Sequence, residues 1–124
     1  MKIILADREA QLMEILWEYG PATVTEVRER LPDHLAYTTV LTMLRTLEAK
    51  DYVRHEEQGR AHVYCAAIQR QAAQRSALKA LSAKLFKGSR ALLVTQLVSD
   101  EALTDEEVKR IRQLIDNRAK RSKS

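Results

Sequence analysis

The stretch Ala36–Lys50, AYTTVLTMLRTLEAK, governs how the rest of the chain is read. Val40, Met43, Leu44 and Leu47 fall at i, i+3, i+4 and i+7, the spacing of a helix with one face in a core. Thr38, Thr42 and Arg45 share the opposite side, flanked by Thr39, Leu41 and Thr46. An ordinary solvated face is rich in Glu and Lys. Short hydroxyls, one Leu and one Arg can instead lie close to the floor of a DNA major groove. There Thr and Leu meet thymine methyls, and Arg bonds guanine or phosphate. The pattern predicts a recognition helix over residues 36–50. Taken in isolation, a core helix with a Thr-rich outer face fits the same residues.

The elements on either side decide between the two. Asp7 is a good N-cap for a helix through Tyr19, with Ala10, Met13, Leu16 and Trp17 on its inner side and Leu12 and Tyr19 beside them. Gly20-Pro21 ends it, because Gly suits a left-handed residue and Pro cannot continue a helix. Thr23-Val24-Thr25-Glu26 is a capping box that opens a second helix, whose Val24, Val27 and Leu31 form one apolar edge. Two short helices before a longer one with a polar outer face make a helix-turn-helix pattern. Tyr52–Glu57 and Ala61–Cys65 then read as strands joined through Gln58-Gly59-Arg60, where Gly59 can take φ > 0. His62 and Tyr64 share one face of the second strand; Ala61, Val63 and Cys65 share the other. Three helices followed by a β-hairpin form a winged helix, and the hairpin tip at 58–60 is expected to reach the phosphate backbone or minor groove. Arg54 and Arg60 suit that role, although a solvated turn residue fits Arg60 nearly as well.

From Gln69 onward strand signals cease. A helix over Gln69–Lys87 carries Ala77, Leu78, Leu81 and Leu85 as its stripe. Gly88 ends it and Ser89 caps the next. Ser89–Ser99 holds Leu92, Leu93, Val94, Leu97 and Val98, which is too apolar all round for an exposed helix of a monomer. A further capping box at Thr104–Glu107 opens a last helix with Val108, Ile111, Leu114 and Ile115 inward. Leu78, Leu81, Leu85, Leu92, Leu93, Leu97, Val108, Ile111 and Ile115 are the residues expected in a homodimer interface, since a large apolar surface marks an association site and most such sites are two-fold. The fold class read from the chain is therefore mainly α. It comprises a winged helix-turn-helix over residues 1–68, a helical dimerisation region over 69–118 and a basic, disordered tail over 119–124.

Composition sets the limits around this pattern. Hydrophobic residues make up 45% of 124 residues, enough for one core, and one Cys excludes an intrachain disulfide. A reducing cytoplasm is the natural compartment. The apolar run Ile3–Ala6 is too short for a signal peptide or a membrane span. The net charge of +4 does not by itself indicate DNA: residues after 68 carry a surplus of seven positive charges, and the first 68 carry a net −3. His34, His55 and His62 lack ligand spacing, Cys65 reads as a small buried hydrophobe, and no catalytic constellation or cofactor motif is visible. No metal, no cofactor and no enzymatic activity are expected.

Specific segments also resemble a known family. LMEILWEYGPATVTEV (Leu12–Val27), the TVLTML core of the third helix (Thr39–Leu44) and GRAHVY (Gly59–Tyr64) are similar to the penicillinase-repressor and methicillin-resistance-repressor family, as are the Phe86–Ser89 corner and Leu103–Glu107. The resemblance implies a cytoplasmic bacterial repressor whose C-terminal helices intertwine into a homodimer that binds dyad, palindromic operators in double-stranded DNA. It implies an antibiotic or cell-wall stress response in which a membrane sensor metalloprotease cuts the dimerisation region. The family's Asn-Phe cleavage pair is replaced here by Gln96-Leu97, so the same protease specificity does not follow. The Cys-x-Cys pairs of copper-responsive relatives are absent, which excludes a copper role of that type. The residues expected to face DNA are Tyr37, Thr38, Thr39, Leu41, Thr42, Arg45 and Thr46, with Arg54 and Arg60 on the wing. Relief by a small ligand, or a protein-interaction role for the winged helix, stays open at this level.

Overall fold

The computed structural model describes residues 1–122. In chain order the elements are α1 (Asp7–Tyr19), β1 (Ala22–Thr23), α2 (Val24–Arg30), α3 (Tyr37–Ala49), β2 (Val53–Gln58), β3 (Ala61–Ala66), α4 (Arg70–Leu85), α5 (Arg90–Ser99) and α6 (Asp105–Ser122). Packing divides the chain into two compact units, and the division falls inside α4, between Leu78 and Lys79. The loss of strand signals at Gln69 marks the end of the sheet but not the end of the first unit. Ala73 of α4 is buried in that unit's core. Ser76 Oγ accepts from Ile3 N–H at 2.8 Å and donates to Ile3 C=O at 3.2 Å.

The first unit is a three-helix cluster closed by an antiparallel sheet of order β1-β3-β2. Leu12 and Met13 of α1, Val27 of α2, and Val40, Leu44 and Leu47 of α3 are fully buried, with Val53 and Tyr64 from the sheet against them. The hairpin register places His55 opposite Tyr64 and Glu57 opposite His62. Gly59 has φ +62° at the first position of the two-residue turn, where a type II′ turn favours glycine. β1 pairs Ala22 with Tyr64 and Thr23 with Val63. Two residues carry no periodicity, so this strand has no signature in the sequence.

Three local expectations are corrected by packing. Asp7 is not the N-cap of α1; Ala6 occupies that position, and Glu9 Oε1 accepts from Ala6 N–H at 2.9 Å. Ala10 and Tyr19 are exposed, whereas Glu9, Leu12, Met13, Ile15 and Leu16 are buried. Two overlapping stripes are present in α1, and the one containing Glu9 goes inward because Lys50 neutralises it, with Nζ–Oε2 at 2.8 Å. Tyr19 instead lies beneath the Arg30 guanidinium, 3.8 Å from its ring centroid. The α2 capping box forms as read: Glu26 N–H donates to Thr23 Oγ1 at 3.2 Å, and Thr23 N–H donates to Glu26 Oε1 at 3.0 Å.

In the second unit, Ser89 Oγ accepts from Leu92 N–H at 3.1 Å and caps α5. Thr104 and Glu107 form a reciprocal capping box at α6. Leu93 is buried, while Phe86, Leu103, Val108 and Ile111 are half-buried. The expected inward stripes are not covered within one chain: Leu78, Leu81 and Leu85 of α4, Leu92 and Leu97 of α5, and Leu114 and Ile115 of α6 are exposed. α6 continues through Ser122, past the predicted start of a disordered tail at Ala119. Lys120 and Arg121 in its last turn suit the negative end of the helix dipole. Lys123 and Ser124 lie outside the described residues.

The end of α3 sets the start of the sheet. Asp51 has φ +65°. Tyr52 N–H donates to Leu47 C=O at 3.0 Å and Asp51 N–H to Glu48 C=O at 2.9 Å, the bond pair of a Schellman cap. A β-branched side chain resists this left-handed conformation. Asp51→Val is expected to cost about 1–2 kcal/mol of stability, whereas Asp51→Gly should be tolerated; urea unfolding of both variants checks this.

Candidate nucleic-acid interface

α3 turns its buried residues to the core and leaves a continuous outer strip. Tyr37, Thr38, Thr39, Thr42, Arg45 and Thr46 are exposed, and Leu41 is half-buried at the edge. Two of the hydroxyls are already committed: Thr42 Oγ1 donates to Thr38 C=O at 2.8 Å, and Thr46 Oγ1 donates to Thr42 C=O at 3.0 Å. These threonines therefore offer methyl groups and oxygen lone pairs outward, and no free hydroxyl proton.

The hairpin completes one side of this strip. An open cleft of about 500 Å³ is lined by Tyr37, Leu41 and Arg45 of α3, by Arg60, Ala61 and His62 of the wing, and by Thr23, Val24 and Thr25 at the start of α2. Arg45 and Arg60, read separately from the sequence, are thus brought together. Arg54 is not. It is exposed, but its register with Cys65 puts it on the face of the hairpin opposite His55 and Tyr64. His62 and Thr25 join the cleft although neither was singled out as a contact. Strand alternation placed His62 with Tyr64, but nothing in the sequence said which face turned toward α3. Among the described residues no group of His, Cys, Asp and Glu is arranged to hold a metal.

Side chains beneath the cleft join the wing to α3. Glu48 of α3 accepts from His55 N–H at 3.2 Å, and its oxygens lie 2.7 and 2.8 Å from His55 Nδ1. The His55 and His62 rings stack at 4.6 Å with planes 15° apart. Burial raises the Tyr64 phenol above its ordinary range; the Glu48 carboxylate adds to this, and the nearby Arg45 guanidinium opposes it. The outer strip thus combines one cation on α3, a second on the hairpin tip and apolar or acceptor groups between them. That is a combination suited to base edges and phosphates together.

The family model described as penicillinase repressor matches residues 5–117. The chain belongs to the penicillinase repressor family. Its members repress transcription through a DNA-binding winged helix and are not enzymes. This penicillinase-repressor chain is 22% identical over 121 residues to the penicillinase repressor of Bacillus licheniformis, covering 96% of this chain and 94% of that one. It is 43% identical over 63 residues to the transcriptional regulator BlaI of Mycobacterium tuberculosis, covering 48% of this chain and 46% of that one. Among solved structures it resembles the YusO protein of Bacillus subtilis, with TM-score 0.51, 17% identity and coverage of 94% of this chain and 75% of that one. It also resembles a MarR family protein of Bacillus stearothermophilus, with TM-score 0.50, 15% identity and coverage of 98% and 78%. At such identities these two establish the winged-helix fold alone.

The orientation of α3 in this repressor is pinned at both ends. Before it, Arg28 Nε donates to Leu35 C=O at 2.6 Å, and Arg8 forms a two-pronged pair with Asp33, both bonds at 2.7 Å. After it, Lys50 pairs with Glu9. Burial alone would raise the Glu9 carboxyl, but Lys50 and the Ala6 N–H outweigh it, and Glu9 is held below its ordinary range. The resulting stability is present above the ordinary glutamate range near pH 4.3 and is lost as the pH falls through the lowered value. Lys50→Met is expected to cost about 1–3 kcal/mol at neutral pH. The difference from wild type should shrink as the pH falls through the lowered Glu9 value, below which Glu9 is protonated in both proteins. Urea unfolding across pH checks both the cost and its direction.

Proposed function

We propose that two copies of this chain form a cytoplasmic repressor that binds a palindromic operator in double-stranded DNA, each copy laying α3 in a major groove. The cleft that unites Arg45 with the hairpin's Arg60 supports this reading, because the outer strip of α3 and the hairpin tip lie side by side in one compact unit. Tyr37, Thr38, Thr39, Leu41, Thr42, Arg45 and Thr46 face the bases and their flanks. Arg60 meets the backbone from the cleft side, and Arg54 meets it from the outer face of the wing. Thr42 and Thr46 read through methyl contact and as acceptors. The first 68 residues carry a net negative charge, so specificity rests on shape and a few cations, and the salt dependence is moderate.

The second unit supplies the pairing. Leu92 and Leu97 are about half exposed, at 49% and 54%, beside exposed Val94 and Val98 on one short helix. A surface of that kind is stable in water when a second copy covers it. Leu81, Leu85 and Ile115 are exposed as well, as is Leu78 at the end of the first unit, and Val108 and Ile111 are half-buried; Leu93 is already buried within one chain. Gln96 and Leu97, at the position of the family's cleavage pair, are both exposed on α5. We assign release of the operator to cutting in this helix by a membrane sensor metalloprotease in an antibiotic or cell-wall stress response, with a specificity other than that for the family's Asn-Phe pair. In this reading the sensor is a separate membrane protein; among the described residues of this chain no helix is long and apolar enough to cross a membrane.

Two outcomes check this. If Arg45 bonds a base, Arg45→Ala costs about 1–3 kcal/mol of operator affinity, concentrated at one operator position. A uniform loss over all sequences makes it a phosphate contact, and unchanged affinity removes it from the site. Leu97→Asp is expected to give monomers by sedimentation and to abolish tight operator binding while the first unit stays folded. A wild-type protein that sediments as a monomer at about micromolar concentration overturns the dimer.

A further inference from the structure

We propose that DNA binding by this chain is coupled to uptake of one proton at His62, whose ring is fixed beside the cleft by its stack on His55. The inference rests on the reading that the cleft between α3 and the wing receives DNA.

His62 lines that cleft together with Arg60, Arg45 and Tyr37, and its side chain is 42% exposed. It does not swing freely. Its ring lies nearly parallel to His55, 4.6 Å away. His55 is itself anchored: Glu48 of α3 bonds both its backbone N–H and its Nδ1, and the Tyr64 ring is 5.4 Å from it. The inner imidazole is therefore a shelf, and the outer one faces the cleft.

The charges around His62 give its proton a purpose. From β2 it faces Glu57, directly opposite in register, with Oε1 3.6 Å from His62 Nε2. Glu56 lies on the other face of the hairpin with Arg54, so Glu57 is the β2 carboxylate next to a surface that must approach phosphates. α3 contributes Arg45, Tyr37 and, through His55, Glu48; β3 contributes Tyr64; the turn contributes Arg60; the α2 residues of the cleft are uncharged. With a neutral His62, Glu57 stands uncompensated beside the path of the duplex. A proton on His62 cancels that charge and leaves the two arginines to face DNA. Imidazole is the side chain whose charge ordinarily changes between pH 5 and 8. By linkage, a duplex that favours the charged ring binds more tightly as the pH falls.

The test uses the full chain and a duplex recovered by genomic footprinting of this protein, with binding measured by anisotropy between about pH 8 and pH 6. Wild-type affinity is expected to rise about threefold to tenfold over that range, within the limit of tenfold per pH unit for one proton. Its salt slope should steepen by about one phosphate contact at the lower pH. His62→Gln keeps the fold and a polar side chain. Measured against its own affinity near pH 8, it should show neither change on acidification. His55→Ala should diminish the pH-linked gain relative to its own affinity near pH 8, the mark of a positioning residue. Equal gains in wild type and His62→Gln, or wild-type binding that is tight and independent of pH, overturn the inference and leave the DNA reading intact. A wild type that protects no DNA at either pH overturns the DNA reading and the inference with it.

Discussion

The rotation of α3 about its own axis is the constraint from which the rest follows. Val40, Leu44 and Leu47 are fully buried, and each such side chain stabilises the fold by about 1.5–3 kcal/mol relative to exposure. Turning the helix by one residue would move them toward water and bring Leu41 and Arg45 toward the core. Burying an unpaired guanidinium adds a cost far larger than any local preference of the helix. Met43 sits half-buried at the margin, so the stripe is narrow and the orientation well defined. The strip that carries the threonines and Arg45 is outward because the apolar stripe admits no other solution.

The same helix places the wing. Its C-terminus closes in a Schellman turn at Asp51, and the next two residues, Tyr52 and Val53, are buried. β2 therefore leaves the core at a fixed point and in a fixed direction. Tyr64 then settles which face of the hairpin turns inward: it is 1% exposed, and it sits on the middle strand, paired on one side with β2 and on the other with the two residues of β1. Once Tyr64 is inside, His55 and His62 must lie on the side of α3, and Arg54 must lie away from it. Glu48 reaches across to His55 and joins the two halves of the cleft electrostatically as well as sterically.

The second unit poses a different problem. Its helices are well capped by Ser89 and by the Thr104–Glu107 pair, so local structure is secure. Burial within one chain is sparse: Leu93 and Ser82 are covered, and most other large apolar side chains are at least partly exposed. In the proposed dimer such a helical segment would gain further stability by association, and pairing and folding of the unit would be interdependent. Under that proposal, proteolysis within α5 or loss of pairing would act on the affinity of both winged helices at once, with no change inside either of them.

Much was legible in the sequence because it is local. The 3.6-residue stripe of α3, the Thr23–Glu26 and Thr104–Glu107 capping boxes and the Gly59 turn each depend on residues within a few positions of one another, and the quoted segments were specific enough to point to the penicillinase repressor family. Tertiary structure decided what depends on distant partners. Glu9 goes inward because Lys50, at the far end of α3, is there to neutralise it. Ala22–Thr23 is a strand only because β3 presents a free edge. The unit boundary lies in α4 and not at Gln69 because Ala73 is buried in the first unit's core and Ser76 bonds Ile3, more than sixty residues earlier. His62 belongs to the cleft because Tyr64, two residues on, has somewhere to be buried. Periodicity fixes which residues share a face; only packing against the rest of the chain fixes where that face points.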